Sequence, residues 1–336
     1  MSDVQSDALP DDAPAPGDAP PRRRKRRRIL GAVLVALAAL VVLVNWTWGN
    51  LPGEPPRSGS EAQLGDVRVG YVERPGNGTP IVLIHGLPGT AEDFEKVTPL
   101  LAGHRTIALD RPGYGYSDGG YHPLERQLLA IEQLLDHLAI RKAVLVGHSY
   151  GGTIALAFAA RRPERVQGMV LVDAAAGGVH SNAFARLQSR FVQGLSWPVV
   201  QPLADATFSQ AIRTGSAKMG AAEAFDPDPV QPAYEQRLLA RSMRHEDLDA
   251  YAAEHLASDN VIAGVDRQLP KIATPTIVIQ GQGDRLVAAE HGRRIAAELP
   301  HARYVQVSGG HMVPLVHPDV VAKAARECAA RCVAAR

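Results

Sequence analysis

The chain has 336 residues, 46% hydrophobic and 21% charged, enough to bury a sizeable core as one large domain or two smaller ones. Seven basic residues (Arg22 to Arg28, with Lys25 among them) and five aspartates fall in the first 28 positions. Subtracting these from totals of 36 and 35 leaves 29 basic against 30 acidic residues beyond them. A body so nearly neutral has no overall basic field, which argues against a nucleic-acid partner.

Residues 1–28, rich in Asp, Ala and Pro before the basic cluster, read as a disordered cytoplasmic tail. From Ile29 to Val44 no residue is charged, and Asn45-Trp46-Thr47-Trp48 extend the run to position 48. As a helix, 29–48 spans roughly 30 Å, the thickness of a bilayer's hydrocarbon core. The arginines mark the cytoplasmic side and the tryptophans suit the far interface, so the expectation is a single-pass anchor. Its N-terminus is then cytoplasmic and the main domain extracytoplasmic, in a bacterial periplasm or at the cell surface. A cleaved signal peptide is the rival reading. The small-x-small site Ala36-Leu37-Ala38, however, lies inside the apolar run rather than after it.

Residues 49–64, with Gly, Pro and Ser, read as a linker. Beyond it, short β-branched runs occur at 67–72, 81–85, 106–110, 144–147, 169–173, 276–280 and 304–307. Helix-period segments lie between several of them, such as 124–138 and 288–299. Apolar strands alternating with amphipathic helices predict an α/β fold, a mostly parallel sheet with helices on both faces. In such sheets the functional residues follow the strands' carboxyl ends. The rhythm breaks at 177–270, where helical stretches and prolines replace strands. This insertion is predicted to form a helical cap between two core segments, 65–176 and 271–336. Its aromatics, including Phe191, Trp197, Phe225, Tyr234 and Tyr251, serve as the cap's own core or line a substrate box.

The run Val144-Leu145-Val146 leads into Gly147-His148-Ser149-Tyr150-Gly151 and then a helical segment at 153–160. A G-x-S-x-G between strand and helix is a nucleophile elbow: the sharp turn strains the serine, and side chains two residues either side would collide. Ser149 is therefore the candidate nucleophile, and it needs a base. Asp284, in "GQGD" after the strand 276–280, and His311, in "SGGH" after the strand 304–307, follow in the order acid then base. Asp173 also ends a strand and is a second candidate for the acid. The backbone N–H groups of Leu87 and Tyr150 are the candidate oxyanion donors. His85, Gly86, Gly147, His148 and Gly151 support the site, and Asp110 reads as a carboxylate that fixes its loop. His317 reads as a helix-start residue, and His245, His255, His291 and His301 as surface residues. Cys328 and Cys332 sit four apart, too far for a relaxed disulfide on a helix, and read as free thiols. No metal-ligand spacing or nucleotide-binding glycine pattern occurs, so neither a metal nor a cofactor is expected.

Taken together, the chain resembles the α/β-hydrolase superfamily. The matching elements are H-G-x-P-G at 85–89, D-R-P-G-Y-G-Y-S at 110–117, G-H-S-Y-G-G at 147–152, G-x-G-D at 281–284 and G-G-H at 309–311. They occur in the family's order. The resemblance implies a capped, serine-nucleophile member, because haloalkane dehalogenases and epoxide hydrolases of this fold use aspartate at the nucleophile position. It points to a membrane-anchored serine hydrolase cleaving an acyl bond, a carboxylic ester first, in a small, apolar acyl substrate. Two alternatives keep the same triad, a carbon–carbon bond hydrolase and a cofactor-free haloperoxidase-like enzyme. A third is a binding or receptor protein with little turnover.

Overall fold

The computed structural model describes residues 21–48, 59–181, 183–195, 197, 209–242 and 244–331. Most of the expected tail, and Cys332, lie outside these residues. Helix α1 spans Pro21–Trp48, so the basic cluster is helical rather than part of a tail. Proline suits a first helical position, and arginine and lysine are good helix formers. The helix exposes apolar side chains all round, Leu30 at 60%, Leu34 at 58% and Val35 at 69% among them. Among the described residues, no helix is long and apolar enough to cross a membrane. The expected span at 29–48 includes Val44, Asn45 and Trp48, whose side chains are outside the described residues.

The described residues form eight strands, β1 (Ser60–Leu64), β2 (Val67–Arg74), β3 (Gly78–Ile84), β4 (His104–Leu109), β5 (Ala143–His148), β6 (Val166–Val172), β7 (Thr276–Gly281) and β8 (Ala302–Val307). They form one sheet in the order β1-β2-β4-β3-β5-β6-β7-β8. Pairing is antiparallel from β1 to β2 and from β2 to β4, and parallel across the rest. Strand β1 lies within the expected linker. Its alternation buries only Ala62 and Leu64, and a turn at Gly65-Asp66 folds it back onto β2. Two apolar positions separated by Gln63 are too weak a pattern to stand out beside a Pro- and Gly-rich stretch.

The central strands read as continuous apolar runs because both sheet faces are covered. Val82, Ile84, Leu145 and Leu171 pack toward helices α2 (Leu124–His137) and α3 (Tyr150–Arg161). Ile81, Leu83, Val144, Val146 and Val170 point the other way, toward Phe94, Val97 and the C-terminal helix. This alternation is the two-residue period of a strand.

Among the described residues, four helices lie between β6 and β7: α4 (Ala183–Leu195), α5 (Ser209–Phe225), α6 (Pro232–Ser242) and α7 (His245–Asp266). After β7 come α8 (Ala289–Glu298), α9 (Val313–Val316) and α10 (Pro318–Arg331). Phe225 and Tyr234 form a small core of their own, rings 5.1 Å apart, against Met312 and Leu315 beyond β8. Phe191 (50% exposed) and Trp197 (67%) face outward, so the insertion's aromatics are split between core and surface. Cys328 is buried on α10, its Sγ 3.4 Å from the Met169 carbonyl oxygen.

Two glycines give opposite expectations. A Cβ on Gly151 would lie 2.1 Å from the Ile84 carbonyl oxygen and 2.5 Å from that of His85, whereas one on Gly215 of α5 would meet nothing within 4 Å. Gly151→Ala is expected to destabilise the chain by about 1–3 kcal/mol through overpacking. Gly215→Ala is expected to stabilise it by about 0.5–1 kcal/mol by removing a mid-helix glycine. Urea denaturation of both variants checks the pair.

Candidate active site

Strand β5 runs straight into Ser149, which has φ 52° and ψ −124°, and α3 begins at the next residue. A positive φ is costly for any residue with a Cβ. Here it is held from both sides. Ser149 donates its N–H to the Val172 carbonyl (2.9 Å), and its own carbonyl accepts from Gly152 (2.9 Å) and Ala175 (3.0 Å). The turn is tight enough that a Cβ on Gly147 would lie 2.5 Å from the Gly151 carbonyl oxygen. Ser149 thus stands at the N-terminus of α3, where partial positive charge gathers and the Tyr150 N–H has no acceptor within its own helix.

Strand β3 delivers His85, Gly86 and Leu87 beside it. A Cβ on Gly86 would lie 2.8 Å from the Ser149 Cβ and 3.3 Å from its Oγ, so only glycine lets the chain pass this close. The Leu87 N–H donates to no acceptor among the described residues.

Strands β7 and β8 deliver Asp284 and His311. The His311 Nδ1–H donates to Asp284 Oδ2 at 2.7 Å, both residues being buried. Asp284 Oδ1 accepts the N–H groups of Leu286 (2.8 Å) and Val287 (2.9 Å), and Oδ2 also accepts Gln280 Nε2 at 3.0 Å. Burial alone would raise the Asp284 pKa, but His311 and these N–H donors bring it below the ordinary carboxylate value. Burial likewise works against charge on His311, and the Asp284 carboxylate overcomes it, raising the imidazole pKa.

His148, next to the serine, donates Nε2–H to the His311 carbonyl at 2.9 Å, and the two rings lie 4.9 Å apart. This bond, with His311 N–H donating to the Ala224 carbonyl of α5 (2.8 Å), fixes the His311 backbone between core and insertion. Burial and the neighbouring His311 push the His148 pKa down to about 3, so it stays neutral. The Ser149 hydroxyl makes no hydrogen bond among the described residues. Catalytic hydrogen bonds are often open without substrate.

Asp173, the other candidate acid, is fully buried at the end of β6 with φ 47°. Its Oδ1 accepts the Gly281 N–H (2.7 Å) and Gln280 Nε2–H (3.1 Å), while Oδ2 has no partner among the described residues. Burial, reinforced by the Asp284 charge, holds its pKa well above the usual range. Of the two carboxylates, Asp284 is the one hydrogen-bonded to the imidazole. Single ligand atoms of His148, Asp173 and His311 lie within 4.8 Å of one another. A cation there would hold the same imidazole that Asp284 orients.

Asp110 fixes its loop as expected from its position. Its oxygens accept the N–H groups of Ala91 (2.8 Å) and Tyr116 (2.9 Å). His255 and His291, read as surface residues, are half-buried. His255 pairs with the Ser189 hydroxyl (2.8 Å) and His291 with the Gly177 carbonyl (2.9 Å). Sequence reasoning passed over Gln280, Arg111 and Glu254. Gln280 interrupts the apolar run of β7 and bridges the two carboxylates, and a lone amide inside "TIVIQG" was its signal.

The comparisons agree with this architecture. The model of the α/β-hydrolase fold family matches residues 79–318. A protein of Mycobacterium phage D29 named as a non-heme haloperoxidase is 30% identical, over 76% of this chain and 88% of its own. A 2-hydroxy-6-oxononadienedioate/2-hydroxy-6-oxononatrienedioate hydrolase of Pseudomonas putida is 27% identical, over 76% and 88%. Among solved structures, the enol-lactonase from Burkholderia xenovorans LB400 superposes with a TM-score of 0.67 at 22% identity, covering 80% of this chain and 99% of that one. The chain belongs to the α/β-hydrolase fold family.

Proposed function

We propose that this hydrolase cleaves an acyl bond, a carboxylic ester first, through an acyl-enzyme on Ser149. The observation that carries the reading is the buried Asp284–His311 pair, closed at 2.7 Å at the sheet end where Ser149 stands in its strained turn. His311 Nε2 takes the Ser149 proton as Oγ bonds to the acyl carbon. The oxyanion forms toward the Leu87 and Tyr150 N–H groups. His311 then gives that proton to the departing alcohol as the acyl–oxygen bond breaks. A water, deprotonated by His311, attacks the acyl carbon, and the proton returns to Ser149 as the acid product leaves. Asp284 stays ionised throughout and holds the imidazole tautomer.

A second reading rests on the Pseudomonas putida relative, a carbon–carbon bond hydrolase by its name. The same serine, base and oxyanion donors would serve it, so only substrate panels separate the two. Turnover of p-nitrophenyl esters with no hydrolysis of vinylogous diketones supports the ester reading, and the reverse preference sinks it.

Residues 29–48 are proposed to anchor the chain in a membrane with the catalytic domain outside the cytoplasm. The uncharged run from Ile29 to Val44 supports this, as do the seven cations before it and the apolar surface helix α1 leaves exposed. Carrying those cations across a bilayer costs far more than leaving them inside.

Four outcomes follow. Ser149→Ala is expected to abolish fluorophosphonate labelling and to lower ester turnover by several orders of magnitude. Full labelling of this variant would exclude Ser149. Asp284→Asn is expected to cost about 10⁴-fold in turnover, whereas Asp173→Asn, isosteric with a protonated Asp173, retains most of it. The imidazole must be neutral to accept a proton. In wild type, kcat/KM should therefore rise with pH through a value above the ordinary histidine pKa of about 6.5. In Asp284→Asn that limb moves to lower pH, and a limb that stays in place argues that another carboxylate holds the base. For the anchor, full-length chain made in a Gram-negative host should resist carbonate extraction and lose its catalytic domain to protease added to spheroplasts. Carbonate release, or protection from the protease, contradicts it.

A further inference from the structure

Arg111 heads the largest fully buried side chains among the described residues. It follows β4, in the loop that Asp110 fixes. A guanidinium out of water is costly unless its donors are matched, and here they are. Nη1–H donates to Glu254 Oε1 (2.8 Å) and Gln127 Oε1 (2.6 Å). Nη2–H donates to Glu254 Oε2 (3.0 Å) and the Gly86 carbonyl (2.7 Å), and Nε–H to the His85 carbonyl (3.1 Å). Glu254, also buried, comes from α7 of the insertion, and its carboxylate additionally accepts the Tyr114 hydroxyl (2.7 Å) and the Gln127 amide. One ion pair therefore ties the inserted helices to the strand-end loop beside Ser149.

What that pair holds is the Gly86 carbonyl. His85 Nε2 accepts the Arg111 backbone N–H at 2.9 Å, which leaves Nδ1 as its protonated nitrogen. Nδ1–H donates to the same Gly86 oxygen at 2.9 Å. Two donors, one of them charged, thus fix the orientation of the Gly86–Leu87 peptide. In a trans peptide the N–H points opposite to the carbonyl, so the Leu87 N–H is turned away from the guanidinium. Polarising the carbonyl also strengthens that N–H as a donor.

We propose that the buried Arg111–Glu254 pair positions the Leu87 oxyanion donor, and that seating of α7 on the core is what keeps that donor in place. This rests on the reading of Ser149 as nucleophile. Arg111 and Glu254 are positioning residues, acting through Gly86 and not on the reacting atoms. A pair serving stability alone is replaceable by apolar side chains of similar size without loss. A pair that aims a donor is not.

The test uses full-length chain in detergent with two variants. Arg111→Met combined with Glu254→Met removes the pair without leaving a buried charge, and Glu254→Gln removes the carboxylate's charge alone. The readouts are kcat and KM for p-nitrophenyl butyrate, and the affinities of an alkyl trifluoromethyl ketone and of the matching secondary alcohol. The ketone's serine adduct places an oxyanion on the donors; the alcohol cannot. In whichever variant folds by circular dichroism, kcat is expected to fall about 10- to 100-fold, less than deleting a donor outright, with KM within about threefold. Ketone affinity should weaken in parallel while alcohol affinity holds. Unchanged kcat and ketone affinity overturn the proposal. So does equal weakening of both ligands with a raised KM, which marks a disturbed substrate pocket. Wild-type chain with no Ser149-dependent turnover overturns the nucleophile reading first and this proposal with it.

Discussion

The close approach of α3 to β3 is the constraint on which the site depends. With no Cβ at Gly151, the first turn of α3 rests directly against the carbonyls of Ile84 and His85. The same approach brings Gly86 alongside the serine, where a Cβ on it would lie 2.8 Å from the Ser149 Cβ, while Ser149 holds its positive φ at the head of α3. A proposed nucleophile and its proposed oxyanion donors thus share one packing event.

The electrostatics at the other strand ends follow from burial. Two carboxylates, Asp173 and Asp284, meet in a space where water cannot separate their charges. The conflict is resolved by unequal partners. Asp284 takes two backbone N–H groups, an amide and an imidazole, and stays ionised; Asp173 takes one N–H and shares the amide, and its pKa rises. Gln280 donates to both through one nitrogen. Burial weighs most on Asp173, whereas at Asp284 the imidazole and the N–H donors outweigh it.

Much of this was legible in the sequence because the requirements are local. Gly147 and Gly151 flank a serine between a strand and a helix because the turn has no room for anything else, and that shows in nine residues. The strand end that carries Asp284 was readable as an apolar run because β7 is buried along its length, and the one before His311 as a short β-branched run on the edge strand β8. The Arg111–Glu254 pair was not readable: 143 positions separate its members, and an arginine and a glutamate on loop and helix look like any solvated charges. The strand β1 escaped for another reason. As an edge strand it needs only two inward side chains, so its composition stays that of a linker. At α1 the uncharged run reads as a bilayer span, whereas among the described residues no helix is long and apolar enough to cross a membrane.

The insertion between β6 and β7 has a consequence for how the chain acquires function over time. Strands β3 and β5, which lead into the 85–87 loop and Ser149, pair with β4, β6 and each other, all of them before the insertion. Asp284 and His311 arrive only after about a hundred further residues. Contacts across so long a separation raise contact order, and their loop-closure entropy is met late in folding. A chain emerging from the ribosome or a translocon would carry the serine well before its base. The base proposed for Ser149 reaches the serine's side of the sheet only when β7 and β8 have docked.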